Sequence, residues 1–181
     1  YNVRMNDGRV LQVANPKARD MNAYKSSVKA VSKKGSTAYY QMDKLPEELQ
    51  GVYLNYENID NSVNSIHASI NDPGLLRAYT QDLMPVVWLC NIKQQNDGAL
   101  VAGVYPTYYL DSNGNVLPGS VSFYKSIDKG QTWDILGKIP FVNDGIANKR
   151  GDGCFEEPAF DILADGSFIC ILRSGSTSPM Y

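Results

Sequence analysis

Histidine is nearly absent from this chain: His67 is the only one in 181 residues. A His-rich metal site is thereby excluded, and His67 lies among polar residues (Asn64, Ser65, Ser69) that suit an incidental or structural role. Cysteine is also scarce, with three widely spaced residues, Cys90, Cys154 and Cys170, and no C-x-x-C pair. That spacing argues against a metal or redox motif, so no metal and no cofactor is expected. Cys90 and Cys170 sit inside apolar runs and read as buried thiols. No apolar stretch approaches the roughly 20 residues of a membrane-spanning helix, and membrane insertion is not expected. An excess of one charge sign is missing as well. The net charge of −2 gives no electrostatic reason for nucleic acid or an anionic surface as partner. The pair Lys33-Lys34 is too short for a binding patch and reads as solvated turn surface. The chain opens on Tyr1 without an initiator Met or a cleavable signal pattern, which reads as a mature chain or a fragment.

What is present is globular in character, with 43% apolar and 20% charged residues. A compact domain of this length buries roughly 70% of the surface of its unfolded chain. Within it a local pattern recurs three times: Asn6-Asp7-Gly8, Asn96-Asp97-Gly98 and Ala164-Asp165-Gly166, each leading into a β-rich run. Asp-Gly between such runs signals a hairpin, here expected as a two-residue type I′ turn with positive φ at both central residues. A second turn follows, Gly130-Gln131-Thr132 coming 32 residues after Gly98 and Gly35-Ser36-Thr37 coming 27 after Gly8. The unit therefore reads as hairpin, connection, hairpin: four antiparallel strands, which repeated along a chain are the blades of a β-propeller. Residues 1–181 are expected to form a single all-β domain, a partial β-propeller of about two and a half blades cut at both ends. Residues 45–85, rich in Asn and Ser, do not fit the unit and read as an insertion or a degenerate blade.

The second unit's later turn is Ser126-Ile-Asp128-Lys-Gly130-Gln-Thr132-Trp133. This is S-x-D-x-G-x-T-W, the Asp-box, with all five fixed positions present. Its physics is that of a hairpin lock. The Asp128 carboxylate can accept N–H bonds across the turn, Gly130 supplies a left-handed φ, and Trp133 is large enough to pack between neighbouring units. A structural rather than catalytic role follows for Asp128. The segment from Val31 to Ala38 keeps only the Gly and Thr and reads as a decayed copy.

The Asp-box, together with Glu157-Pro158 followed by Asp165-Gly166 and Arg173, resembles the sialidase (neuraminidase) or BNR-repeat superfamily. The likeness covers residues 85–181 well and the first 40 loosely. It implies a six-bladed parent propeller. Asp-boxes also occur in non-catalytic propellers and in other glycosidases, so the motif marks the repeat and not the activity.

Hairpin arithmetic independently places Glu157 and Arg173 together. With Asp165-Gly166 as a two-residue turn, Arg173 is expected to face Pro158 and Glu157 to face Ser174, at the open end of the hairpin and away from the Asp-box end. A rim salt bridge would explain the two residues without chemistry. The resemblance implies more. Sialic acid carries a carboxylate on its anomeric carbon that would repel an anionic nucleophile, and the family uses a Tyr activated by a Glu, with an Asp as acid/base. Glu157 is then the base partner. Arg173 is one arm of a triad that grips the substrate carboxylate with bidentate geometry. Asp20, in the loop after the first unit's second strand, occupies the place of the acid/base; a solvated loop residue is the alternative. The first Arg and the nucleophilic Tyr have no counterpart in these residues, so 1–181 alone is not expected to be active. Trp88, Tyr105, Tyr108 and Tyr109 lie near the same end, where aromatics either pack between units or stack on sugars.

The leading expectation is an exo-α-sialidase-type glycoside hydrolase acting on a glycan or sialoside, with a secreted, periplasmic or cell-surface location inferred from that substrate. The alternatives are a non-catalytic propeller that binds glycan or protein, and a sialidase-like glycosidase for a different sugar.

Overall fold

The computed structural model describes residues 2–13, 28–30, 32–34, 37–47, 52–76, 79–81, 88–105, 109–110, 113, 116–117, 121–140 and 155–174. The chain is all-β, with strands β1 (Asn2–Arg4), β2 (Val10–Val13), β3 (Ser32–Lys34), β4 (Thr37–Gln41), β5 (Val52–Glu57), β6 (Val63–Asn71), β7 (Tyr79–Gln81), β8 (Trp88–Gln94), β9 (Leu100–Tyr105), β10 (Tyr109–Leu110), β11 (Val116–Leu117), β12 (Val121–Ser126), β13 (Thr132–Ile139), β14 (Phe155–Ile162) and β15 (Phe168–Ser174). Helix among the described residues is limited to a 3-10 turn at Met42–Lys44 and one α-turn at Pro73–Leu76.

Eight strands form one nearly closed sheet in the order β1-β2-β5-β6-β13-β12-β9-β8. It consists of two sets of four antiparallel strands, β1-β2-β5-β6 and β8-β9-β12-β13. Their outer strands meet in a parallel contact, Thr132 opposite Ser69 and Asp134 opposite Asn71. At the other edge β1 and β8 approach, and the Asn6 N–H donates to Gln94 Oε1 at 2.6 Å. The hairpin β14–β15 is a further layer on the opposite face of the second set.

Alternation of side chains explains the layering. In β5, Val52, Leu54 and Tyr56 are buried while Tyr53, Asn55 and Glu57 are not, the period-2 pattern of a strand with one face on a core. They join Leu11, Leu100, Ala102, Val104, Tyr124 and Trp133 in a core shared by the two four-stranded sets. The second set is apolar on both faces, because β9 and β12 also turn Val101, Val121 and Phe123 towards Phe160 and Leu172 of the hairpin. Phe123 and Phe160 meet edge to face at 5.1 Å between ring centroids. Burial on both faces is why Leu100-Val-Ala-Gly-Val reads as a continuous apolar run instead of an alternation.

Three sequence expectations need correction. First, within residues 45–85, expected as an insertion or a degenerate blade, β5 and β6 are the third and fourth strands of the first set. The hairpin at Lys34 and Thr37 belongs instead to a separate three-stranded sheet, β3-β4-β7, whose first two strands precede β5 and whose third follows β6. Second, the Asp-Gly turns are not type I′. Gly8, Gly98 and Gly166 have φ of 87°, 87° and 82°, and neither Asp7, Asp97 nor Asp165 has positive φ. Each loop has three residues and closes the same way, as in Gln95 N–H to Ala99 O at 2.8 Å and Gly98 N–H to Gln95 O at 2.9 Å. A type I turn followed by a left-handed Gly gives that pattern. Third, the extra loop residue shifts the register, so that Ile162 faces Phe168 and Ala159 faces Ile171.

The same turn closes β5–β6 without glycine. Asn61 takes the left-handed position at φ 62°, and Asn58 N–H bonds to Ser62 O at 2.8 Å. In all four turns the Asp carboxylate accepts the N–H two residues on, for example Ala99 N–H to Asp97 Oδ1 at 2.9 Å and Ser62 N–H to Asp60 Oδ1 at 3.0 Å.

Candidate functional site

The five Asp-box residues form one closed turn between β12 and β13. Asp128 Oδ1 accepts from Ser126 Oγ at 2.8 Å and from the Thr132 N–H at 2.9 Å, and Ser126 Oγ accepts from the Gly130 N–H at 2.8 Å. Lys129 and Gly130 are left-handed, at φ 61° and 88°. Trp133 is fully buried in the shared core and donates Nε1–H to Gly130 O at 2.9 Å. Burial raises the Asp128 carboxyl, but the bonds from Thr132 and Ser126 outweigh it and hold it below the usual carboxylate value. The Ser126 hydroxyl, one Asp128 carboxylate oxygen and the Trp133 indole N–H are thus spent on the turn itself.

At the other end of the strands, Glu157 and Arg173 meet. Arg173 Nε–H donates to Glu157 Oε2 at 2.6 Å, with the side chains 36% and 46% exposed for Arg and Glu. Both expected facing partners differ from the observed ones by two residues. Arg173 pairs across the sheet with Glu156, and Ser174 with Phe155, because β14 bulges between Glu156 and Ala159. Glu157 sits in that bulge at φ 49°. A left-handed residue directly before proline is strained, since Pro favours extended backbone in the residue ahead of it. Bulges re-aim side chains, and this one turns Glu157 onto Arg173.

The bulge is packed from below. Pro158 is buried against Gly103 of β9, where an added Cβ would lie 2.7 Å from Pro158 Cγ. Beside it, β8 has its own irregularity between Cys90 and Lys93, with Asn91 at φ 48°. Asn91 Nδ2–H donates to Phe160 O at 3.1 Å, tying β8 to β14. The Cys90 thiol is fully buried, and burial, reinforced by the negative charge of Glu157, pushes it up to about 12. It is therefore no nucleophile at neutral pH.

Asn91 and Gly103 were not singled out in the sequence, although each left a signal. Asn91 is a polar residue inside the run Trp88 to Ile92, and Gly103 interrupts an apolar strand, which often marks close approach of another backbone. Trp88 and Tyr105 face each other across β8–β9 at the end distant from the Asp-Gly turn. Tyr109 begins β10; Asp20 and Tyr108 lie outside the described residues. Among the described residues no group of three or more His, Cys, Asp or Glu side chains could hold a metal ion. None of the helices described is long and apolar enough to cross a membrane.

No protein-family model matches this sequence, and no curated protein matches it. A crystal structure of a protein of unknown function from Dyadobacter fermentans DSM 18053 is similar in fold, with a TM-score of 0.52 at 15% identity. The match covers 97% of this chain, which spans 43% of that structure. The likeness bears on the fold alone.

Proposed function

We propose that the chain is part of a sialidase-like β-propeller of four-stranded blades, and that Glu157 and Arg173 serve an exo-α-sialidase-type glycoside hydrolase. Support for the architecture comes from equivalent positions after the four-residue turns. Leu11, Val101 and Ile169 each stand three residues after the left-handed Gly. Leu11 is fully buried against the second set and Val101 fully buried against the β14–β15 hairpin, while Ile169 is 56% exposed. Ile171, on the same face of β15, is 51% exposed. A stack in which each unit covers the previous one accounts for all three, and it leaves the last face ready for another unit. Radial stacking of this kind builds a propeller.

The observation that carries the functional reading is the 2.6 Å contact between Arg173 and Glu157, formed on a strained bulge at the end of the sheet away from every turn lock. An ordinary rim ion pair is worth at most about 1 kcal/mol and does not require a left-handed residue before proline. Arg173 would bind the carboxylate of an acidic sugar, and Glu157 would take up a proton from a tyrosine nucleophile supplied elsewhere in the protein. Asp20 is proposed as the acid/base. A non-catalytic glycan-binding propeller is the second reading, favoured by the way Glu157 already occupies the Arg173 Nε–H.

The test is release of 4-methylumbelliferone from its α-sialoside by the protein that carries these residues within a full ring. Hydrolysis that falls at least 100-fold in Glu157→Gln and Arg173→Lys supports catalysis. Absence of turnover from pH 4 to 8, with sialoside binding retained, would move the assignment to the binding reading.

A further inference from the structure

We infer that Gly103 and Asn91 are positioning residues, a notch and a tether that together hold the Glu157 bulge in its strained form and so aim Glu157 at Arg173. The inference deepens the reading above, and relies on it only for the chemical use of the pair; the geometry stands on its own.

Three observations converge on the bulge. Glu157 at φ 49° precedes a proline, so its conformation is one the free chain avoids and the surroundings must impose. Pro158 is the residue through which they do so. It is buried, and its ring occupies the space that a side chain at Gly103 would fill, where a Cβ would come to 2.7 Å from Pro158 Cγ and 3.3 Å from its Cβ. Gly103 has no positive φ to justify it. Its lack of a side chain is what the site uses. On the next strand, Asn91 is itself left-handed at φ 48°, and its amide reaches the Phe160 carbonyl at 3.1 Å. Phe160 follows the bulge and is anchored in the second core with Phe123 and Leu172. Pro158 is therefore seated on β9 and the strand after it is tied to the neighbouring β8. Glu157 is the surplus residue ahead of these two supports, and its carboxylate meets Arg173.

The two supports act differently, which makes them separable. A methyl group at position 103 would lift Pro158 and relax Glu157 towards extended backbone. Loss of the Asn91 amide would let β14 slide without touching the notch. Gly103 bears on Pro158 and Asn91 on the Phe160 carbonyl, so an effect of either on the ion pair is expected to travel through the bulge.

The reporter is the Arg173 Nε–H itself, whose NMR resonance is slowed in exchange by the 2.6 Å bond to Glu157. It is measured on the 181-residue chain labelled with 15N at pH 6, with Glu157→Gln identifying the signal. In Gly103→Ala and in Asn91→Ala the exchange rate of that Nε–H is expected to rise at least tenfold. Pro158→Ala takes the ring out of the notch and is expected to raise the exchange rate as well, and adding Gly103→Ala to it should raise the rate no further, because the new methyl then has no Cγ to strike. Leu54→Ala, a core truncation in β5, destabilises the protein elsewhere and should leave the resonance as in wild type. Should Gly103→Ala not fold, Asn91→Ala and Pro158→Ala alone decide the matter through the same signal. Slow exchange persisting in Asn91→Ala and in Pro158→Ala, or effects of Gly103→Ala and Pro158→Ala that simply add in the double variant, would overturn the inference. A failure of the sialoside assay would leave these results untouched, so the two ideas fail separately.

Discussion

Four described glycines of this fold share a left-handed φ, and three of them differ enough in their surroundings for strain and space to be measured apart. Gly98, Gly130 and Gly166 have φ of 87°, 88° and 82°. An alanine forced into this region costs roughly 1–2 kcal/mol for the conformation alone. At Gly166 a Cβ would meet nothing within 4 Å, and at Gly98 only Gln94 Nε2 at 4.0 Å. At Gly130 it would lie 2.8 Å from Tyr56 Oη, 3.1 Å from Leu54 Cδ1 and 3.6 Å from Trp133 Cζ2, all on buried side chains. Overpacking of that kind adds about 1–3 kcal/mol. Gly166→Ala and Gly98→Ala are thus expected to cost about 1–2 kcal/mol each, and Gly130→Ala about 2–5 kcal/mol.

The steric part can be isolated through Tyr56. Its hydroxyl is buried and makes no hydrogen bond among the described residues, and burial raises it to about 12. Removing an unsatisfied buried hydroxyl is neutral or stabilising, so Tyr56→Phe alone should raise stability by up to about 1 kcal/mol. It should also relieve the closest clash of Gly130→Ala, giving a favourable coupling of about 1 kcal/mol or more in the double-mutant cycle. Urea denaturation followed by circular dichroism reads all of this, provided the m-value stays constant across the set. Equal destabilisation by Gly130→Ala and Gly166→Ala, with no coupling to Tyr56→Phe, would refute the argument. The Asp-box would then be a turn held only by its own bonds, and not a wedge fitted against the neighbouring strand β5.

Other consequences follow from single buried groups. Burial pushes the Asp72 carboxyl up, but Tyr124 Oη at 2.8 Å and Lys138 Nζ at 3.1 Å outweigh it and hold the carboxyl below 3.8. A depressed folded value means stability that is complete above the unfolded carboxylate value near 4 and lost as pH falls through the folded value. Asp72→Asn should cost about 1–3 kcal/mol at pH 7 and flatten the acid limb of the stability–pH curve below about pH 4. Trp133→Phe strands the Gly130 carbonyl that Nε1–H satisfies and should cost about 1–3 kcal/mol by the same denaturation assay. At pH 8 iodoacetamide should modify half-buried Cys170 well before fully buried Cys90, as read by peptide mass spectrometry.

How much of this was legible in the sequence depended on whether a local rule was obeyed or broken. The Asp-Gly pairs announced hairpins correctly because glycine is the usual occupant of a left-handed turn position. The β5–β6 turn uses Asn61 for the same purpose, in Asn58-Ile-Asp60-Asn-Ser62, and in the sequence it reads as part of an insertion or a degenerate blade. Its Asp60 bond to Ser62 repeats the Asp97 bond to Ala99, so the carboxylate and not the glycine was the common element. The turn type itself was not legible. One left-handed residue or two cannot be told from Asp-Gly, yet the difference adds a residue to the loop and moves every facing pair by one.

The Glu157–Arg173 contact survived that misreading for a physical reason. The loop residue shifts the register by one position, and the bulge adds a second, so Arg173 faces Glu156 and not Pro158. Glu157 stays within reach because a bulged residue has no partner of its own across the ladder and its side chain can turn to the next available group. A regular ladder would have held Glu157 to the face set by its register. The feature that positions the pair is thus the one that violates local preference, a left-handed glutamate ahead of proline. Sequence rules average over unstrained chains and cannot anticipate it. The glycine and asparagine that make it tolerable lie 54 and 66 residues away along the chain, at Gly103 and Asn91. Only the packing of β8 and β9 beneath β14 brings them to the bulge. Strain at one residue, relieved nowhere locally and supported by two others from different strands, is the pattern expected where geometry has been kept for use and not for stability.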